Sequence, residues 1–195
     1  MDRLASAGGT VLDGRSTTVA GRPVAGWPDP LEWQGDRPDD PDRIFSFAEL
    51  PDGDAEFESA EQALISWFEG LDQRPAIVMV HQNGLAQGLA RHVSEEFAGD
   101  ALTILTGHDH EQHIDRYDDV VVVDAGSAGA GGVFGLGTEE AGVATLHFSG
   151  DGLQAVDMIQ IDPISGAARA ERIVLESEDA CDRDLLICHD AGEDD

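Results

Sequence analysis

Three short apolar runs constrain this chain more than any other feature. Residues 76–80 read AIVMV, residues 101–106 read ALTILT and residues 119–125 read DVVVVDA. None alternates apolar with polar residues, as a strand with one wet face would. A continuous run of this length is the pattern of a strand covered on both faces. Such strands need a layer above and a layer below. Residues 84–97, between the first two runs, put Leu85, Leu89, Val93 and Phe97 on one helical line. Upstream, residues 59–72 place Ala60, Ala63, Leu64, Trp67, Phe68 and Leu71 on one apolar stripe, with Ser59 and Gln62 as a capping box.

The rest of the chain supplies short extended pieces. Residues 10–26 read as short strands broken by Gly and polar turns, and residues 27–57, rich in Pro and Asp, as a long surface loop. After a glycine-rich connection at 126–137, residues 142–150, 153–162 and 168–176 alternate enough to be antiparallel strands. The order is strand, helix, strand, then strands alone. It predicts an α/β fold, a layered β-sandwich with flanking helices. Residues 1–176 are expected to form the folded part, and residues 177–195 an acidic, disordered tail.

Charge narrows the partners. Asp and Glu number 40 against 11 basic residues, a formal net charge of -29, and all the basic residues are Arg. A surface this negative repels nucleic acid and anionic lipid, so neither is an expected partner. The apolar fraction of 41% is too high for a disordered acidic chain. The remaining reading is a folded protein adapted to high salt, where the Debye length shrinks to about 3 Å and self-repulsion is screened. No apolar run is long enough to span a membrane, and residues 1–20 lack the apolar core of a signal peptide. A cytoplasmic location in a high-salt organism is the expectation. Cys181 and Cys188, both near the C-terminus, are expected to be incidental thiols; with His189 they are the alternative catch for a metal.

The histidines carry the chemistry. His81 directly follows the first apolar run, and His108 and His110 follow the second as GHDH. Loops at the carboxyl ends of strands are where open α/β sheets place their sites. A lone strand-end histidine such as His81 is more often structural than a ligand; GHDH after a buried strand is the stronger signal. In an extended loop His108 and His110 point to opposite sides, so each can face a different metal ion. Imidazole suits Zn, Mn, Fe or Ni, and a two-metal hydrolytic site is possible. His113 falls where the next strand should start. His92, His147 and His189 read as structural. Without Lys there is no Walker A loop and no Schiff-base lysine, and neither GxGxxG nor GxSxG occurs. Ser127 has no reason to be a nucleophile.

Taken in order, VMVHQNG, LTGHDH and VVVDAGSAG resemble the C-terminal half of the calcineurin-like metallophosphoesterase family. GRPVAGWPDP is similar to the family segment that runs into a Gly-x-x-Asp-Pro loop. The resemblance spans about residues 4–175. It implies half of an αββα fold and hydrolysis of phosphate mono- or diesters at a dinuclear centre of divalent Mn, Fe or Zn. His81 and His108 would ligate one metal and His110 the other. Asn83, Gly107 and His113 would lie around these ligands or on the substrate side, and Asp109 would face solvent.

The departures are as plain. The family's Asp-x-His, Gly-Asp-x-x-Asp and Gly-Asn-His motifs have no counterpart: no histidine has an Asp two positions before it, and Asn83, the only asparagine, precedes Gly84. GDRPD at 35–39 matches one pattern in the wrong place. The expectation is therefore an incomplete phosphoesterase, explained by a misplaced start, a disrupted gene or an N-terminal half supplied separately. The rivals are an inactive remnant and a mononuclear metal-binding module. The salt reading has its own test. The melting temperature, followed by circular dichroism, should rise from dilute buffer to molar KCl, and an unchanged melt would remove it.

Overall fold

The structure, a computed structural model of the 195-residue chain, describes residues 8–28, 55–108, 110–126, 141–150, 152–175, 181 and 185–189. Among the described residues, ten strands and two helices follow one another. They are β1 Ser16–Val19, β2 Arg22–Gly26, α1 Ala55–Glu69, β3 Ile77–Met79, α2 Asn83–Glu96, β4 Leu102–Thr106, β5 Gln112–Tyr117, β6 Val120–Ala125, β7 Ala141–Ser149, β8 Gly152–Ile161, β9 Ala168–Val174 and β10 Leu186–His189. Seven strands form one sheet in the order β1-β2-β3-β4-β6-β5-β10, and β7-β8-β9 form a second.

The apolar runs sit at the middle of the larger sheet, where β3, β4 and β6 pair in parallel. Their side chains divide by parity between two cores. Val78, Leu102, Ile104, Val120 and Val122 pack with Leu64 and Phe68 of α1 and Leu85, Leu89 and Val93 of α2. Val121 and Val123 point the other way, with Ile114 and Leu186, onto Val156, Met158, Ile173 and Leu175. The layers are helices, large sheet and small sheet, the expected α/β sandwich. Each fully buried Val, Leu or Ile contributes about 1.5–3 kcal/mol, which is why four consecutive valines are stable in β6. Two arginines tie the small sheet to the large one: Arg22 donates to the Ser149 carbonyl, and Arg116 Nη1 to the Leu175 carbonyl at 2.7 Å.

Helix α1 starts at Ala55, four residues before the expected cap, so Ser59 lies inside the helix and forms no capping box. A tertiary contact accounts for the extension. Phe57, in the added turn, packs onto Gly84 of α2, where a Cβ would stand 2.8 Å from the ring. Ala60, Leu64 and Phe68 of the expected stripe are buried, whereas Ala63 is exposed. Of the expected loop at 27–57, residues 29–54 lie outside the described residues and residues 55–57 are helical. The glycine-rich connection at 126–137 also lies outside them beyond Gly126.

The disordered tail needs a larger correction. Leu186–His189 form β10, parallel to β5, with Leu186 2% exposed in the inter-sheet core. Cys181 and Cys188 are not incidental thiols but are joined by a disulfide. Leu186 is apolar enough to bury, and the open edge of β5 gives the strand a partner.

Asp115 fastens this edge. It is 1% exposed on the helix-facing side of β5. Its Oδ1 lies 3.0 Å from His189 Nε2, and its Oδ2 accepts from Gln87 Nε2 at 3.2 Å and lies 3.4 Å from His113 Nε2. The His189 ring stacks on Tyr117 at 4.2 Å between centroids. Burial alone would raise the Asp115 pKa, but the hydrogen bonds from His113, His189 and Gln87 outweigh it and hold the carboxyl below its ordinary value. A depressed carboxyl stabilises the fold above its unfolded value of about 3.9, and that contribution is lost as pH falls through the folded value. Asp115→Ala should cost about 2 kcal/mol or more at pH 7 by leaving buried donors unpaired. Its deficit relative to the parent should shrink below about pH 4, read from urea midpoints in molar KCl.

Candidate metal centre

Parallel pairing sets the first geometry. Met79 of β3 is level with Leu105 of β4, so the residues just beyond each strand emerge side by side. The ladder continues past the strands: Val80 donates to the Leu105 carbonyl at 2.9 Å, and the Gly107 amide to the His81 carbonyl at 3.4 Å. His81 and His108 thus leave the sheet as neighbours. Their rings meet edge to face, 5.0 Å apart at 89°, and His108 Nδ1 lies 3.1 Å from His81 Nε2.

The histidines of this chain sort by partner. His92 pairs with Glu69 at 3.0 Å, His147 with Asp157 at 2.8 Å, and His113 and His189 share Asp115. His81 and His108 face each other instead. Two nitrogens bound to one first-row ion at about 2.0–2.1 Å each lie roughly 3.0–3.4 Å apart. The observed 3.1 Å falls in that interval, so this donor pair fits a single divalent ion. His110 lies outside the pair. Its backbone adopts a left-handed φ of +65°, and its carbonyl approaches Gly126. Among the described residues, no three His, Cys, Asp or Glu side chains converge as a metal-binding group.

What holds the two imidazoles is a small polar knot. Thr106 Oγ1 lies 2.8 Å from the His81 carbonyl and 2.6 Å from Asn83 Oδ1, so one hydroxyl proton is shared between two acceptors. Asn83 Oδ1 also accepts from the His108 amide at 3.4 Å. Thr106 and Asn83 therefore link both strand ends to the start of α2. Asn83 thus touches the candidate ligand's backbone. A Cβ at Gly107 would meet open space, so that position keeps the rim low rather than relieving strain.

His113 is elsewhere. It is level with Asp124, which is level with Thr106, so it stands two strands from the pair, about 10 Å away, with its ring directed at Asp115. Thr106 and Asp124 are the residues that sequence reasoning missed. Asp124 is 0% exposed, and its Oδ1 accepts from the Gly126 amide at 2.7 Å, shaping the loop after β6. The available signal was a polar residue closing an apolar run, which both ILT and VVVVD display.

Electrostatics favour an anion at this end of the sheet more than the net charge suggests. Helix α2 opens two residues after His81, and its first turn holds no acidic residue and no side-chain capping bond from Gln82. No carboxylate of that turn offsets the positive end of the helix dipole. A family model described as Calcineurin-like phosphoesterase superfamily domain matches residues 46–151, a span that includes His81, Asn83, Thr106, His108 and His110. No curated protein matches the chain.

The Thr106 knot is open to test. Thr106→Val keeps the shape and removes the shared proton. Affinity for Mn or Zn, measured by calorimetry, should fall about 10-fold, and unchanged affinity would mean that the knot does not position the imidazoles.

Proposed function

Because the chain belongs to the calcineurin-like phosphoesterase superfamily, we propose that it hydrolyses phosphate esters with divalent metal held at the carboxyl ends of β3 and β4. Membership makes metal-dependent phosphoester hydrolysis the kind of function; the finer reading rests on one observation. That observation is the convergence of His81 Nε2 and His108 Nδ1 at 3.1 Å.

In this reading His81 and His108 hold one ion and His110 contributes to a second. Metal bound there supplies polarisation of a phosphoryl oxygen and an acidic water for in-line attack. The chain's own residues orient and bind. Thr106 and Asn83 fix the imidazoles, and the first turn of α2, which holds no acidic residue, favours the ester's negative charge. Mn, Fe and Zn all suit such ligands. A dinuclear centre needs further carboxylate and imidazole ligands beside these histidines.

One observation favours a second reading. Two donors converge, and no third joins them among the described residues. A mononuclear metal-binding module, or an inactive remnant, would look the same. Hydrolysis of bis-p-nitrophenyl phosphate by the purified chain, in molar KCl with Mn, separates them. The phosphoesterase reading expects turnover that falls about 100-fold in both His108→Ala and His110→Ala. Stoichiometric metal without turnover would favour the mononuclear module, and no metal binding the remnant.

A further inference from the structure

The helix-facing side of the candidate centre is polar, but its other side is not. The small sheet packs on β6, β5 and β10, through Val121, Val123, Ile114 and Leu186. It reaches Arg22 at the start of β2 but leaves the carboxyl end of β3 open. Met79, the last residue of β3, is consequently 47% exposed, two residues before His81. A cavity of about 400 Å³ opens there, lined by Leu12, Trp27, Met79, Leu105 and His81, with Asp13 as the one acidic side chain among the described residues. One wall is anchored from the helix side, where Trp27 packs. Trp27 donates its amide to the Met79 carbonyl at 2.9 Å, and its ring packs on Trp67 at 5.2 Å.

We propose that this cavity takes the uncharged, apolar organic group of the ester whose phosphoryl group lies at His81 and His108. The proposal rests on the phosphoesterase reading and names its substrate class: monoesters of aromatic or branched alkyl alcohols. Size and lining are those of a small-molecule site, a few hundred Å³ of apolar wall with polar groups converging at one end. Charge sets the limit. Among the described residues the lining has no Arg, its one carboxylate is Asp13, and the chain carries a net charge of -29. A second phosphate or a carboxylate in this cavity would be repelled without compensation. Nucleoside polyphosphates and pyrophosphate are therefore poor occupants.

The chain has three methionines, so selective carbon-13 labelling of their methyl groups reads the cavity directly. Met79 lines it, whereas Met158 is 1% exposed in the inter-sheet core. In molar KCl, benzyl alcohol and phenylphosphonate should shift the Met79 resonance, assigned with Met79→Leu, and leave Met158 in place. Methylphosphonate should shift neither. In turnover, the ratio of kcat/KM for benzyl over methyl phosphate, whose leaving alcohols are similarly poor, should fall about 10-fold in Met79→Asp. A Met79 resonance unmoved by both aromatic probes would overturn the proposal. Benzyl alcohol needs neither metal nor phosphoryl chemistry. A Met79 shift with no hydrolysis of any ester would therefore keep the cavity's ligand class and retire the phosphoesterase reading instead.

Discussion

Everything at the candidate centre depends on the parallel register of β3, β4 and β6. Neighbouring parallel strands hold their carboxyl ends level, and here Met79, Leu105 and Val123 lie in one row. His81 and His108 are two and three residues beyond that row, so the ladder brings their rings together before any side chain chooses a partner. The register holds because a one-residue slip would turn each strand's inward side chains to the opposite core. Val78, Ile104 and Val122 meet the helices, while Val121 and Val123 meet the small sheet. Packing energy spent on valines is what fixes the imidazoles 3.1 Å apart.

The same sheet carries a second polar line, toward its far edge. Thr106, Asp124 and His113 are level across β4, β6 and β5, and Asp115 follows His113 on the same face. Buried carboxylates are costly in an acid-rich chain unless donors surround them. Asp115 meets this cost with Gln87 from α2, His113 from its own strand and His189 from β10. The helix, the sheet and the C-terminal strand are thereby joined at one residue. The chain has few cations to spend, and it uses neutral donors and imidazoles where another protein would use lysine.

The fold was legible where the hydrophobic pattern was local. The three apolar runs, the stripe on α1 and the leucine line on α2 declared the layers, and His81 with GHDH marked the strand ends where the candidate site was sought. Three features were not fully legible, each for the same reason. The early start of α1 depends on Phe57 meeting Gly84, a contact 27 residues away. Strand β5 was announced only by its start at His113, because its inward residues His113 and Asp115 are polar and their partners lie elsewhere in the chain. Strand β10 is four residues long and pairs with β5 more than 70 residues earlier, so nothing near it in sequence announces a strand. Thr106 was hidden differently. Its hydroxyl looks like an ordinary strand end, and only its two acceptors reveal that it ties the histidine loops together.

The extent of the small sheet explains why the two sides of the candidate centre differ. Coverage over β6, β5 and β10 forces apolar side chains there, and these form the second core between the sheets. Past its border, Met79 and Leu105 keep the apolar character of covered strands, though Met79 is left open. An exposed apolar surface of this kind carries a cost that an ordinary wet strand avoids by alternation. The centre therefore lies on a boundary: hydrogen-bonding groups under α2 on one side, apolar wall on the other. A molecule that fits both sides must be polar at one end and apolar at the other, with its anionic end toward α2. A phosphate ester of an uncharged alcohol has that distribution, whereas an alcohol or a phosphate alone satisfies one side only.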